Sequence, residues 1–402
     1  MQPRYCRLFM IPYFSSFWND ENSVFKNFVR CVIIRAQIKR EFGDGGKEME
    51  HTKLEPNGTR LKFFFAGDSL LHESVFMDAK QENGTYDFSK QLDRLLAEVK
   101  AYDIAFYSQE TILGGEELRL SGYPSFNGPQ EFGSYMISKG FNLVSTASNH
   151  CLDRGTAGIR ASKAFWNRFD QVITAGTNMT EEEYRSIPSL TVKGVKVALL
   201  SYTYGTNNIK PQYEWQVNCY PEHEDEMLER VKQASEENDV LIVSMHWGTE
   251  YSHQVNDEQK DLARKLAKAG ATIIIGNHPH AIQPFEWIDG VPVFYAMGNL
   301  ISSQIGYDRR TGLIGSLTID IHADGRVTVS DARADLTYVM YTGDESILRY
   351  DIEVIPYADL TDKDLPGHNE IEEEFKRIIK SLDDNVTFGL RGKRVSRSES
   401  NN

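Results

Sequence analysis

Two histidines, His278 and His280, stand one residue apart directly after the apolar run of residues 272–275. That run is short and mostly β-branched, which is typical of a strand covered on both faces, and Gly276 ends it. Pro279 keeps the two imidazoles on a bent, non-helical segment. Imidazoles in such a place can bind a metal ion or move a proton. A single His-x-His pair is also common on surface loops, so its meaning depends on what stands in equivalent places.

Four other apolar runs also end at groups that can bind a metal ion or move a proton. The ends of these runs are Asp68 in LKFFFAGD, Glu110 in IAFYSQE, Asn149 and His150 in LVSTASNH, and His246 in VLIVSMH. In open α/β sheets, ligands bind outside the carboxyl ends of the strands, so these side chains are expected to converge on one crevice. Their donor atoms suit divalent ions such as Mn²⁺, Fe²⁺, Zn²⁺ or Ni²⁺, and the absence of cysteine disfavours a structural zinc knot.

Each of these residues also has an ordinary structural explanation. Asp68 could cap a helix or a turn, Glu110 could pair with a lysine, and His246 could be a core histidine. The shared position after apolar runs favours the joint metal interpretation.

The elements that position these residues alternate between strands and helices. Helical patterns such as EDEMLERVKQASEEND and NDEQKDLARKLAKAG each lead into a strand that ends in histidine. SLTVKGVKVALLSYTY predicts a hairpin that turns at Lys193 and Gly194, and Asp324 with Gly325 predicts a second hairpin. A closing helix is predicted near LPGHNEIEEEFKRIIKSL. We therefore predict one α/β domain in which mixed β sheets are covered by helices.

Two segments outside these elements have features of functional loops. Residues 205–224 are polar, and a loop of this length inside a compact domain is usually functional or a lid. The turn-rich GYPSFNGP, residues 122–129, follows Glu110 and could contact substrate or could simply pack against the domain.

Composition limits the possible partners. The formal net charge of −14 argues against nucleic acid, because phosphate backbones are bound by excess lysine and arginine. An anionic substrate would need a local cation, which a metal ion could supply. The four cysteines lack metal-binding or disulfide spacing, which fits a reducing compartment. No run approaches the ~18–20 apolar residues of a transmembrane helix, so a cytoplasmic location is expected, with peripheral envelope association left open.

The first 48 residues differ in character from the remainder. They contain 8 Lys and Arg against 5 Asp and Glu, whereas the rest of the chain is strongly acidic. One hypothesis is that translation starts at Met49 and that residues 1–48 are a non-conforming extension. The alternative is an amphipathic prefix, FKNFVRCVIIRAQIKREF, that docks on the domain or on a membrane surface.

Ordered sequence blocks resemble one known family. AGD, SQE, SNHCLDRGTAGI, SMHWGTEY, GNHPHAIQPFEW and FYAMGNL, spread over residues 62–302, resemble the CapA/PgsA family of bacterial capsule and poly-γ-glutamate synthesis proteins. That family is similar to calcineurin-like metallophosphoesterases, so the resemblance implies an α-β-β-α sandwich of mixed β sheets covered by helices. We therefore predict a CapA-type domain over residues 60–345. The resemblance does not cover the tail, and the sequence itself predicts a C-terminal helix and a polar, basic, disordered tail within residues 346–402.

The resemblance further implies divalent cofactors, Mn, Fe or Zn, with one or two ions per chain. It divides the ligands into Asp68 and His280 for a first ion, Glu110 as the bridge, and Asn149, His246 and His278 for a second ion. His150 is then the general acid or base rather than a ligand. Two ions ~3.5–4 Å apart would hold an anionic oxygen and generate hydroxide near neutral pH.

Several positions depart from the family pattern or extend it. Leu70 stands where the phosphoesterases carry a histidine. The first ion site is therefore expected to have few ligands and to bind its ion weakly, or to be completed by His72. Ser108 stands where the CapA family often has asparagine, which leaves a single-metal or non-catalytic centre open. Glu250 and Asn299 lie in family blocks and are expected to support a ligand or to contact substrate.

The resulting interpretation is a CapA-type metal-dependent hydrolase linked to capsule or poly-γ-glutamate metabolism. Its expected substrate is an anionic small molecule or polymer, either a phosphoester or a γ-glutamyl or cell-envelope polymer. The alternative is a non-catalytic, metal-containing component of a synthesis and export assembly with an envelope partner. The presence of His150 favours catalysis, since polymer binding needs no proton donor there.

Overall fold

The computed structural model describes residues 58–343 and 348–390. These residues belong to one compact unit. The expectations for residues 1–48, for a start at Met49 and for the tail beyond residue 390 lie outside the described ranges. Within those ranges, no helix has both the length and the apolar character needed to span a bilayer.

Strands and helices alternate through most of the described chain. Its strands are β1 (Thr59–Ser69), β2 (Ile104–Ser108), β3 (Leu143–Ser145), β4 (Ile173–Ala175), β5 (Ser189–Val192), β6 (Val195–Thr203), β7 (Val240–His246), β8 (Ile273–Asn277), β9 (Phe285–Ile288), β10 (Val291–Phe294), β11 (Asn299–Ile301), β12 (Thr311–Ile321), β13 (Val327–Thr342), β14 (Tyr350–Pro356) and β15 (Thr387–Phe388). Its helices are α1 (Glu73–Asp78), α2 (Ser89–Leu96), α3 (Gln130–Lys139), α4 (Gly155–Trp166), α5 (Glu181–Arg185), α6 (Glu224–Glu237), α7 (Asp257–Ala269), α8 (Tyr307–Arg310) and α9 (His368–Ile379).

The strands form two mixed sheets. The first sheet has the order β14-β13-β12-β1-β2-β3-β4, with β11 also paired to β1 and β15 to β13. The second sheet has the order β5-β6-β7-β8-β10-β9. The run β1-β2-β3-β4 and the run β6-β7-β8-β10 are parallel, so each sheet gathers several carboxyl strand ends on one edge.

The two sheets are stacked face to face, with helices on the outer faces. In β1, Phe63 and Phe65 point into the core shared with the second sheet, as the two-residue period of a strand requires. Phe64, from the opposite face of β1, packs in the outer cluster that contains residues of α1–α4. Helices α6 and α7 cover the outer face of the second sheet through residues such as Val231 and Leu262. The predicted α-β-β-α sandwich of mixed sheets is confirmed.

Both predicted hairpins are present. β5 and β6 are antiparallel and turn at Lys193 and Gly194, whose φ values of 51° and 81° suit a two-residue turn. β12 and β13 are joined through Asp324 and Gly325. These turns bring antiparallel strands into sheets that otherwise carry the parallel strand ends.

The predicted end of the CapA-type domain, at residue 345, falls between two paired strands. β13 and β14, on either side of it, are neighbours in the first sheet. The predicted closing helix is α9, and its Phe375 and Ile379 are buried in the core between the sheets. The part of the chain over residues 348–390 therefore contributes to the sandwich.

Candidate metal centre and adjoining cleft

The candidate centre lies where strand ends of the two sheets meet. Asp68 is near the end of β1 and is in register with Ser108, the last residue of β2. Glu110 follows β2 by two residues. In the second sheet, His246 ends β7 and is in register with Asn277, the last residue of β8. The distance of 4.0 Å between His246 Nδ1 and Asp68 Oδ1 shows that the two sets of strand ends share one site.

Five residues form what we call the buried centre: Asp68, Glu110, His246, His278 and His280. Each is at most 3 % exposed. One donor atom from each of Glu110, His246 and His278 lies within 4.8 Å of the others, and the same holds for Asp68, Glu110 and His280. Glu110 belongs to both groups, and its Oε1 is 3.7 Å from His246 Nε2 and 3.6 Å from His280 Nε2.

Several polar atoms of the buried centre lack a hydrogen-bond partner. They are Asp68 Oδ1, both carboxylate oxygens of Glu110, and the Nδ1 atoms of His246 and His278. No lysine or arginine of the described chain forms an ion pair with either carboxylate. A buried carboxylate without a cation or donors is strongly unfavourable. Two carboxylates, three imidazoles and these free donor atoms therefore fit a divalent cation of the Mn²⁺, Fe²⁺ or Zn²⁺ kind.

The pKa shifts in the buried centre follow mainly from burial. Burial raises the pKa of Asp68 to about 7, although the backbone N–H of His278, 2.9 Å away, partly opposes this. Burial, and then the charge of Asp68, raises the pKa of Glu110 well above its ordinary value. Burial lowers the pKa of His278 to about 3. A bound cation would favour ionised carboxylates and neutral imidazoles, which is the ligand form of both groups.

The backbone that carries the two histidines is unusual. His278 and His280 have φ values of 98° and 53°, a region that non-glycine residues seldom occupy. Gly276 allows β8 to approach a neighbouring segment, because a Cβ there would collide with the carbonyl of Tyr295 and with the Trp247 indole. Strained conformations of this kind persist where the surroundings fix them, commonly at functional sites.

Two asparagines hold histidines of the buried centre. His280 Nδ1 donates to Asn299 Oδ1 at 2.9 Å, which leaves Nε2 toward Glu110. The Asn299 amide nitrogen in turn donates to Gln304 and to the Arg309 carbonyl. Asn149 Oδ1 lies 2.9 Å from His246 Nε2, so its oxygen is directed toward the buried centre. The structure therefore brings together all of the expected ligands: Asp68, Glu110, Asn149, His246, His278 and His280.

A cavity of about 400 Å³, here called the cleft, opens beside the buried centre. Asn149 and His280 contribute to its lining and connect it to the centre. Other residues that line it are His72, Tyr123, Phe126, His150, Glu250 and Tyr251. A molecule in the cleft would thus reach the predicted ligands and the predicted proton donor together.

His150 is held by a buried carboxylate. Its Nδ1 donates to Asp153 Oδ2 at 2.7 Å, and the two side chains are only 9 % and 2 % exposed. The same Asp153 oxygen accepts the Phe126 backbone N–H at 2.6 Å. The Phe126 ring contacts the His150 ring edge-on, with centroids 4.6 Å apart. With Nδ1 engaged, Nε2 is the nitrogen free to exchange a proton with a substrate.

The structure places His72 and Glu250 outside the buried centre. The Nδ1 of His72 is 3.2 Å from the Leu70 carbonyl oxygen, and its ring centroid is 5.2 Å from that of Phe126. Burial lowers the pKa of His72 to about 4. Glu250 is exposed. Both residues line the cleft, and neither belongs to the two groups of neighbouring donor atoms.

Asp153 and Asn207 were not identified from sequence. Asp153 lies three residues after His150 in SNHCLD, so its spacing was a usable signal for a carboxylate near that imidazole. Asn207 lies in the segment 205–224, for which a functional role was expected without a particular residue. Its Oδ1 accepts from Asn149 Nδ2 at 3.2 Å, and its Nδ2 is 3.3 Å from His150 Nδ1.

Comparisons with known proteins agree with the ordered sequence blocks. The family model described as "Bacterial capsule synthesis protein PGA_cap" matches residues 62–304, more than half of the chain. Over 165 residues the chain is 30% identical to "PGA biosynthesis protein CapA" of Bacillus subtilis (strain 168), covering 41% of this chain and 43% of that protein. Over 170 residues it is 31% identical to "Capsule biosynthesis protein CapA" of Bacillus anthracis, covering 41% of each. The alignments thus span about two fifths of these relatives.

Solved structures with a similar arrangement have low sequence identity to this chain. One is "calcineurin-like phosphoesterase YfkN" from Bacillus subtilis, with a TM-score of 0.44, 18% identity, and coverage of 69% of this chain and 90% of that one. Another is a "5'-nucleotidase precursor" from Thermus thermophilus, with a TM-score of 0.41, 13% identity, and coverage of 79% and 59%.

Proposed function

The chain belongs to the PGA_cap family of bacterial capsule synthesis proteins, and we propose that it is a metal-dependent hydrolase whose buried centre binds divalent ions. The observation that carries this proposal is Glu110, a fully buried carboxylate shared by both ligand groups whose two oxygens have no hydrogen-bond partner. A side chain in this environment needs a cation to remain ionised.

We propose the ligand division that the family resemblance implies, which the two groups of neighbouring donor atoms support. Asp68 and His280 would bind one ion, Asn149, His246 and His278 would bind another, and Glu110 would bridge. Such ions would neutralise the buried carboxylates and supply Lewis acidity toward an anionic ester or amide group. Asn299 would keep His280 in the tautomer whose Nε2 faces Glu110.

His150 would supply the proton that the leaving group needs. It lines the cleft next to Asn149, and its Nδ1 is occupied by Asp153, so Nε2 can donate to a leaving oxygen or nitrogen. Asp153 acts as a positioning residue, because it fixes the tautomer and orientation of the imidazole. Phe126 packs edge-on against the His150 ring.

The family name supports a place in capsule or polyglutamate synthesis. We propose a phosphoester or a γ-glutamyl or cell-envelope polymer as the substrate class, and an envelope-assembly protein as a partner. The competing function is a non-catalytic component that binds polymer through its metal. The buried pair of His150 and Asp153 favours the hydrolase, because polymer binding does not require an oriented imidazole.

The test is a substrate screen with the ion content measured in parallel. The full chain, loaded with Mn²⁺, Zn²⁺ or Fe²⁺, is assayed against phosphoesters and γ-glutamyl oligomers beside His150→Ala and Glu110→Gln. We expect metal-dependent turnover by the wild type, metal without turnover in His150→Ala, and neither in Glu110→Gln. Full metal content with no turnover of any of these substrates would favour the binding component instead.

A further inference from the structure

Exposed apolar side chains are gathered at the cleft. Tyr123 is 80 % exposed, Tyr251 is 45 % exposed and Ile209 is 37 % exposed, and all three line the same cavity. Single exposed apolar residues need no explanation, but several that converge on one concave surface indicate a binding site.

The aromatic side chains lie on two walls of the cleft. One wall contacts His150, the proposed proton donor, and the other lies beside His280, a proposed ligand. On one side, Tyr123 contacts Phe126 with centroids 6.4 Å apart, and Phe126 contacts His150. On the other side, the ring centroid of Tyr251 is 6.2 Å from that of His280. The cleft lining thus includes one aromatic side chain connected to His150 through Phe126 and another beside His280.

The position of Tyr251 is fixed by its backbone. Its φ of 63° is uncommon for a bulky residue, and its N–H donates to the Pro279 carbonyl at 2.7 Å. Pro279 stands between the two histidines of the buried centre. The wall that carries Tyr251 is therefore tied to the same segment as the predicted ligands, and the guanidinium of Arg309 lies 4.5 Å from its ring centroid.

The charge of the cleft is unsuited to a polyanion. Among the described residues that line it there is no lysine or arginine, whereas Asp153 and Glu250 are both present. Asp153 is engaged by His150, which leaves Glu250 to face a ligand. A γ-glutamyl chain carries one carboxylate per residue, and Glu250 would repel those that come to lie beside it.

We propose that the cleft selects a phosphoester with one anionic head and a flat, uncharged ring in the leaving group, rather than a polyanionic chain. The phosphoryl group faces the buried centre, and the ring lies between the walls that carry Tyr123 and Tyr251. This substrate class rests on the proposed hydrolase function. In the reaction a water oxygen forms the new P–O bond, the ring alcohol leaves with the electrons of the broken P–O bond and takes a proton from His150, and a proton from the water replaces it.

The experiment compares two non-hydrolysable probes that share the phosphonate head. Phenylphosphonate and methylphosphonate are titrated by calorimetry into the full, Mn²⁺-loaded chain. Because its ring can contact aromatic side chains that a methyl group does not reach, phenylphosphonate is expected to bind about ten-fold more tightly, which corresponds to ~1.4 kcal/mol. Tyr123→Ala and Tyr251→Asn are each expected to weaken phenylphosphonate by about 2- to 10-fold and to leave methylphosphonate unchanged. Asparagine is used at position 251 because it tolerates a positive φ.

The matched control is Tyr350→Ala. Tyr350 is 51 % exposed on β14 and is not among the residues that line the cleft, so neither affinity is expected to change. A γ-glutamyl pentamer, added as competitor, is expected to displace phenylphosphonate poorly and to do so better in Glu250→Gln.

Three results would overturn the proposal. They are equal affinities for the two phosphonates, an effect of Tyr350→Ala as large as that of the cleft variants, and a pentamer that binds wild type more tightly than phenylphosphonate. If neither phosphonate binds to a chain that holds its metal, the phosphoester chemistry itself fails together with this inference. Binding of both probes without a preference for the ring leaves the hydrolase function standing and removes only the substrate class.

Discussion

The buried centre and the cleft beside it are built from different parts of the molecule. The residues of the centre come from strand ends of both sheets and are at most 3 % exposed. The cleft walls come from loops, and Tyr123 on one of them is 80 % exposed. Strand ends keep donor atoms at a fixed spacing, whereas loops can change without disturbing the core. The proposed metal binding and the proposed substrate choice therefore depend on separate parts of the molecule, so that each can be altered without the other.

The largest effect is expected for the residue shared by both ligand groups. Glu110→Gln removes the bridging charge, so Mn²⁺ affinity is expected to fall by more than the ~10- to 100-fold typical of a supporting residue. Turnover is expected to fall further than the ~10²- to 10⁴-fold loss that follows removal of a general acid. Calorimetric titration with Mn²⁺ and a phosphoester assay measure the two quantities.

A ligand that belongs to one group gives the matched comparison. His278→Ala is expected to weaken metal binding less than Glu110→Gln does, and excess metal should restore part of its turnover. If Glu110→Gln keeps wild-type affinity while His278→Ala loses it, the bridge assigned to Glu110 is wrong.

The next effect separates the cleft from the buried centre directly. His150→Ala is expected to retain the wild-type metal content and to lose turnover by ~10²- to 10⁴-fold, because the proton donor lies in the cleft. Asp153→Asn should lower turnover less and leave the KM nearly unchanged, since it acts only through the orientation of His150. If His150→Ala loses metal as severely as His278→Ala does, then His150 is a ligand. The buried centre and the cleft would then not have separate functions.

The smallest effect concerns Asn299, which accepts a hydrogen bond from His280 of the buried centre. Asn299→Ala removes the acceptor of His280 Nδ1, so metal affinity is expected to fall by ~10- to 100-fold while turnover at saturating metal is retained. Asn299→Asp keeps the acceptor for His280 but loses the amide donor to Gln304 and to the Arg309 carbonyl, so retained affinity in this variant would assign the effect to the His280 contact alone. Unchanged affinity in Asn299→Ala would show that the strand backbone alone orients His280.

The same division explains what the sequence could predict. Apolar runs that end in Asp68, Glu110 or His246 predict both a strand and a candidate ligand at its end, because parallel strands place such ends on one edge. The hairpin at Lys193 and Gly194 was readable from local turn chemistry. These features need only local patterns and a general rule of sheet architecture.

The cleft could not be predicted in the same way. The positive φ of Tyr251 depends on a hydrogen bond to Pro279, and the contact between Asn207 and His150 crosses from one loop to another. His72 has the residue type of a ligand, yet the turn after β1 directs it into the cleft. Contacts between loops depend on tertiary packing, for which residue type and spacing carry little information.

The most direct test of the metal proposal is elemental analysis of the full chain purified without chelator. The account predicts one to two divalent ions per chain, and predicts that Glu110→Gln purified in parallel retains almost none. Fewer than about a tenth of an ion per wild-type chain, with no uptake when Mn²⁺ or Zn²⁺ is added, would contradict a metal centre that requires at least one ion.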